Sequence, residues 1–180
     1  MAKDFDPHRL DVRRFAEEAG EIDASEHLRS FHRLVAETQD ADLARNVRWR
    51  ARGELLNPHH LAPQVWVHLE AETSMPLVCQ RCLTPVDVQL RVDRSFRFVS
   101  DEATAAAQDD EAEEDLLALS RSFDLVELVE DELLMELPVA PRHDVCPEPV
   151  KMSAADADFE AAAAEKENPF ALLGRLKPGK

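Results

Sequence analysis

Apolar and polar residues alternate along three neighbouring stretches of this chain. Between Ala44 and Leu55, Val47, Trp49 and Ala51 point one way while Arg48, Arg50 and Arg52 point the other. Val65, Val67, Leu69 and Ala71 then oppose Trp66, His68, Glu70 and Glu72. In the third stretch Val86, Val88, Leu90 and Val92 alternate with Asp87, Gln89, Arg91 and Asp93, and the run continues or bends through Phe96 and Phe98. A period of two is the period of a strand. Three or four consecutive strands with short connections predict an antiparallel meander with one buried and one polar face.

The period changes after Asp124. Leu125, Leu128, Val129, Leu133 and Leu137 fall at helical spacing, Asp124 is placed to cap, and Pro138 and Pro141 stop the helix. Glu127, Glu130, Asp131 and Glu136 are left for solvent. A further helix is expected from Pro7 to about Ala19, entered at Asp6-Pro7 and ended by Gly20. Ser25, Phe31 and Leu34 suggest a short helical or irregular segment before the first strand. Residues 101–115 carry no apolar side chain larger than alanine, which predicts a mobile acidic loop, and Leu116 to Leu119 read as a short strand or turn.

These elements predict an α+β fold: a small antiparallel sheet packed by an amphipathic acidic helix, with an N-terminal helix. One domain over 1–146 holds the acidic insert 101–115. Residues 147–180 read as an extended tail, ending in a short tethered helix that begins at Asn168-Pro169 and carries Phe170, Leu172, Leu173 and Leu176.

Composition narrows the function. With 32% charged residues and a mean hydropathy of -0.38, membrane association is not expected. The first residues lack the apolar core of a signal peptide, so a cytoplasmic protein with reduced thiols is expected and a structural disulfide is not. The net charge of -16 argues against non-specific RNA binding, but the charge is uneven. From Asp101 to Leu137 there are 14 acidic residues against Arg121 alone, whereas residues 1–100 hold 14 basic and 16 acidic side chains. A chain polarised in this way can hold a basic partner at one end without forbidding RNA at the other.

The chemistry concentrates in two pairs of soft ligands. Cys79-Gln-Arg-Cys82 lies between two predicted strands, and His143-Asp-Val-Cys146 follows the acidic helix, so all three cysteines fall in these pairs. Two cysteines separated by two residues reach one metal ion from a turn, and His143 with Cys146 would complete a Cys3His tetrahedron suited to zinc. The competing reading, which the spacing alone favours, is a reduced turn whose cysteines pack as small side chains. A thioredoxin-like centre requires the first sulfur at a helix N-terminus, but a strand is predicted there instead. Arg48, Arg50 and Arg52, extended by Arg91 and Arg97, form a candidate RNA-contacting stripe beside the stacking surface of Trp66; without an aromatic-rich RNA motif, the residues themselves favour a solvated face paired with carboxylates. Glu127, Glu130, Asp131 and Glu136 are candidate contacts for a basic partner. No Ser-His-acid arrangement or glycine-rich phosphate loop is evident in the sequence.

Three ordered blocks resemble the YceD-like family of bacterial proteins, linked to accumulation of the large-subunit ribosomal RNA. These are Cys79-Gln-Arg-Cys82-Leu-Thr-Pro85, the helix from Asp124 to Leu137 running into Pro138-Val-Ala-Pro141-Arg-His143, and Asn168-Pro169-Phe170-Ala-Leu-Leu173. The resemblance implies a non-enzymatic role in large-subunit (23S) ribosome biogenesis, through large-subunit rRNA, a basic ribosomal protein, or both. The alternatives are a thiol redox enzyme, an RNA-processing enzyme, or a passive zinc-stabilised adaptor.

Overall fold

A computed structural model describes residues 5–38, 44–59 and 62–147. Along the chain come α1 (Val12–Glu17), β1 (Glu21–His27), a 3-10 turn (Leu28–Ser30), α2 (His32–Glu37), β2 (Asn46–Leu56), β3 (Gln64–Val78), β4 (Pro85–Val99), α3 (Glu102–Gln108), β5 (Asp115–Ala118) and α4 (Leu125–Met135). All belong to the compact unit Met1–Val145. The strands form one sheet in the order β1-β2-β3-β4-β5.

β1 to β4 are antiparallel, as the alternation requires, and their registers run without a break. Val47, Trp49 and Ala51 of β2, Val65, Val67 and Leu69 of β3, and Leu90, Val92, Phe96 and Phe98 of β4 share the buried face. Phe15 of α1, Leu34 of α2 and Leu125, Val129 and Leu133 of α4 cover it and complete a single core. The opposite face stays polar. A sheet shielded on one side only needs apolar side chains at every second position, which is the pattern in the sequence.

Three elements depart from expectation. The segment expected as a mobile acidic loop contains α3, because alanine is the strongest helix former and Asp101 caps the first turn through Thr104 N–H at 2.8 Å. α3 is the crossover that lets β5 pair with β4 in parallel, so the sheet is mixed rather than an antiparallel meander throughout. Of the segment marked by Ser25, Phe31 and Leu34 and expected to be helical or irregular, Ser25 lies in edge strand β1, whereas Leu34 is helical in α2 with Phe31 as its cap.

α1 is shorter than expected. Leu10 N–H donates to Phe123 C=O at 2.8 Å and Phe123 N–H returns the bond to Leu10 C=O at 2.9 Å, which holds Leu10 extended. The helix therefore starts at Val12 with Asp11 as its cap. Gly53 on β2 lies under this helix, where a Cβ would fall 2.7 Å from the Phe15 carbonyl oxygen. The short helix expected near Asn168 lies outside the described residues.

Candidate metal centre

β3 and β4 outrun β2. Beyond the Arg48↔Glu72 pair the two strands continue together to Val78↔Pro85, forming a two-stranded ribbon. Pro76 sits in that projecting part, where no described residue pairs with β3 in a ladder on its other side and a missing N–H costs nothing. The ribbon closes in a tight turn over residues 79–84. Cys79 N–H donates to Thr84 C=O at 2.9 Å, Leu83 N–H donates to Cys79 C=O at 2.8 Å, and Leu83 takes a φ of 61°. Cys79 and Cys82 therefore share one turn.

The second pair arrives from α4. After Pro138 the chain returns to the hairpin tip, where Gln80 N–H donates to Pro141 C=O at 2.8 Å and the Arg81 guanidinium donates to His143 C=O at 2.7 Å. Those two bonds fix His143 over the turn. The ligand atoms of Cys79, Cys82, His143 and Cys146 all lie within 4.8 Å of one another. Cys82 Sγ is 3.4 Å from His143 Nδ1. A tetrahedral zinc ion with ordinary bond lengths holds sulfur and nitrogen about 3.6 Å apart and two sulfurs about 3.8 Å apart. The arrangement fits a Cys3His metal ion, and the four residues singled out by spacing are the four brought together.

The electrostatics agree with thiolate ligands. Burial pushes the Cys79 thiol up, but the backbone N–H groups of Cys82, His143 and Arg81, with help from the Cys82 side chain, outweigh it and bring the pKa down to about 5. His143 is pushed up, chiefly by its hydrogen bond with Cys79. A thiolate cradled by backbone amides is ready to bind a soft cation without a further charge partner. Cys79 is also fully buried, which separates it from the accessible nucleophilic sulfur of an oxidoreductase.

Arg48, Arg50, Arg52, Arg91 and Arg97 all lie on the outer sheet face, as the alternation predicts. They share it with Glu21, Asp23, Glu54, Glu70, Glu72, Asp87 and Asp93, so carboxylates outnumber guanidinium groups there. Glu72 bridges Arg48 at 2.6 Å and Arg91 at 3.5 Å, Arg50 meets Glu21 at 3.1 Å, and Arg97 pairs with Glu114. Arg52 makes no ion pair with a described residue. It stands opposite His68, whose ring is parallel to that of Trp66 within 7°, with centroids 6.4 Å apart.

The acidic helix is divided in its roles. Glu127 and Glu136 reach solvent, and Asp131 pairs with Arg33. Glu130 is buried, contrary to its expected place in solvent: its carboxylate accepts from Arg33 N–H at 2.6 Å, Leu34 N–H at 3.2 Å and Arg33 Nε at 3.0 Å. Sequence spacing missed this because the cation and amides that satisfy it come from residues 33 and 34, on a different helix. Glu132 is buried too, 3.6 Å from Arg94, and burial pushes its carboxyl upward.

The structure also joins Ser95, His68 and Glu54, which sequence reasoning did not link. Ser95 Oγ lies 2.8 Å from His68 Nδ1, and His68 Nε2 lies 2.8 Å from Glu54 Oε2. Their hydrogen bonds resemble a catalytic relay. On a strand face, however, backbone N–H groups lie in the sheet plane and point along it rather than out of it, so they do not aim at a group held over the face. This chain of bonds is read as cross-strand support. No helix among the described residues is long and apolar enough to cross a membrane.

The family model described as "Large ribosomal RNA subunit accumulation protein YceD" matches residues 67–177, from within β3 through the hairpin tip, the crossover, α4 and the His143 segment. No solved structure matches the chain.

Proposed function

The chain belongs to the YceD family of large ribosomal RNA subunit accumulation proteins, and on that premise we propose that it is a non-enzymatic cytoplasmic factor. It supports accumulation of large-subunit (23S) rRNA by binding that RNA, a basic ribosomal protein, or both. The family match carries this reading.

Charge supports the protein arm. Residues 101–137 hold 14 acidic side chains against one arginine, and the outer sheet face is itself richer in carboxylates than in arginines. Such surfaces attract lysine- and arginine-rich segments and repel phosphate. Glu127 and Glu136, the solvent-facing acids of α4, are the contacts we assign to that arm; Glu130 and Asp131 are engaged by Arg33. A narrower observation supports the RNA arm: Arg52 stands without an ion pair to a described residue beside the parallel Trp66 and His68 rings, a combination suited to one stacked base and its phosphate. The other arginines of the stripe, Arg48, Arg50, Arg91 and Arg97, would have to exchange their carboxylate partners for phosphate.

The Cys79, Cys82, His143 and Cys146 cluster is assigned a structural zinc ion. Three thiolates and an imidazole in a closed set leave no position for a reacting water, which is the ligand pattern of structural zinc rather than catalytic zinc. Its role is to fasten the segment after α4 to the hairpin tip.

Deletion of the gene tests the reading. The ratio of mature large-subunit to small-subunit rRNA falls if the reading is right, and crosslinking in cells then recovers large-subunit rRNA, a large-subunit protein or both. An unchanged ratio overturns it.

A further inference from the structure

In β4, Val99 C=O accepts from Leu119 N–H at 2.8 Å, so the backbone groups of Val99 face β5. The β3–β4 register is continuous from Val65↔Phe98 to Val78↔Pro85, with no bulge to reset it. Strict alternation then directs the N–H and C=O of Asp87, Gln89, Arg91 and Asp93 away from β3 as well. β5 covers β4 only over Phe96 to Val99. Four residues of β4 therefore present an open hydrogen-bonding edge in the described structure.

Two features say what fits there. The chain after α4 runs beside this edge and leaves a groove of about 630 Å³, lined by half-buried Val86 and Val88 on the strand side and by Pro138 and Pro141 on the other. On the outer face Glu70 stands directly opposite Asp93, and neither carboxylate has an ion pair with a described residue. Like charges at opposed positions destabilise a sheet. A cation placed one strand further out, beside Asp93, would relieve that repulsion.

We infer that the edge of β4 from Asp87 to Asp93 receives an extended basic segment of a partner protein as a sixth strand. Alternate side chains of the incoming strand cover Val86 and Val88, and the intervening lysines or arginines line up with Asp93 and, beyond it, with Asp87, which Arg45 already meets at 2.9 Å. Main-chain bonds supply the affinity and the alternating pockets the specificity, as in other cases of strand addition. The inference rests on the protein arm of the proposed function and adds to it the surface used and the conformation of the segment held.

The probe is a peptide of about ten residues alternating arginine and valine, with a version carrying proline at alternate positions as control; about ten residues covers the exposed edge at the rise of a strand. Amide exchange is followed in the full chain. The expected result is slowed exchange at Asp87, Gln89, Arg91 and Asp93 with the first peptide and none with the second. Gln89→Pro removes an outward N–H without touching the β3 ladder and is expected to weaken binding about tenfold, the equivalent of one lost hydrogen bond. Asp93→Lys, which needs no backbone change, is expected to weaken the arginine peptide and to favour a glutamate-valine peptide. Equal binding by both variants overturns the inference. Protection that rises with the concentration of the chain alone, and not with peptide, assigns the edge to a second copy and overturns it as well. A normal rRNA ratio in the deletion strain would remove the biological premise, whereas these exchange results bear on the edge itself.

Discussion

Glu130 on α4 holds the first turn of α2 through Arg33: its Oε1 accepts the Arg33 backbone N–H at 2.6 Å while Oε2 meets the same residue's guanidinium at 3.0 Å. The residue before α2, Phe31, offers no side-chain cap, so a carboxylate from another helix takes that place. Glu130→Ala strands the Arg33 and Leu34 amides and leaves the guanidinium to Asp131 alone among the carboxylates, and a loss of about 2 kcal/mol is expected from urea unfolding. Glu130→Gln keeps an acceptor and is expected to lose less. Glu127→Ala, on the exposed side of the same helix, is expected to change stability by under about 0.5 kcal/mol. If Glu127→Ala costs as much as Glu130→Ala, the capping role is wrong.

Glu132 gives a pH dependence with a definite sign. Burial raises its carboxyl above the ordinary value, with the attraction of Arg94 opposing the shift. The folded state thus favours the protonated form. Its contribution is fully present below the unfolded pKa and is lost as pH rises through the folded one. Glu132→Gln removes that loss and is expected to be more stable than the parent at pH 7, by on the order of 1 kcal/mol or less, with the gain vanishing near pH 4. Thermal unfolding of both proteins across that range decides it. A gain that persists unchanged in acid contradicts the assignment.

Removing the metal should act locally before it acts globally. The zinc ion proposed for Cys79, Cys82, His143 and Cys146 would tie two segments far apart in sequence, so a chelator is expected to lower Tm and to speed amide exchange at residues 138–146 more than in β2. Elemental analysis of protein purified without chelator is expected to give close to one zinc per chain, and Cys82→Ser or His143→Ala far less. Less than about 0.1 zinc per chain in the parent leaves the cluster as packed thiols.

Gly53 is needed for a different reason. Its missing Cβ leaves room for the Phe15 carbonyl, which would stand 2.7 Å from the added carbon. Because the obstacle is backbone, α1 must shift as a body. Gly53→Ala is expected to destabilise by about 1–3 kcal/mol. An unchanged unfolding midpoint would show that α1 is held less tightly than its packing on β2 implies.

The sheet face, the capped α4 and the ligand pairs were legible because each is written in local spacing: a period of two, a period of 3.6 and two residues between cysteines. What escaped depends on pairing across the chain. β5 is four residues long, and its direction follows from the crossover rather than from Asp115 to Ala118 themselves. Leu10 is extended only because Phe123 pairs with it. The alternation places the arginine stripe on one face, but the carboxylates that meet Arg48, Arg50 and Arg91 come from β1 and β3, and only the register reveals Glu72 between Arg48 and Arg91. His143 was legible as a ligand type; the Gln80 and Arg81 bonds that position it were not.

The tight turn over residues 79–84 also sets an order of events during folding. β3 and β4 close through the shortest loop in the sheet, so the first pairs beside that loop form with the smallest loop-closure penalty. β5 must wait for α3 to carry the chain across, and the His143 segment must wait for α4. Substitutions at Leu69 or Val92 are accordingly expected to slow folding, while those at Leu117 chiefly hasten unfolding. The ribbon would then be standing, with Cys79 and Cys82 already paired at its end, before the remaining two ligands have been drawn in.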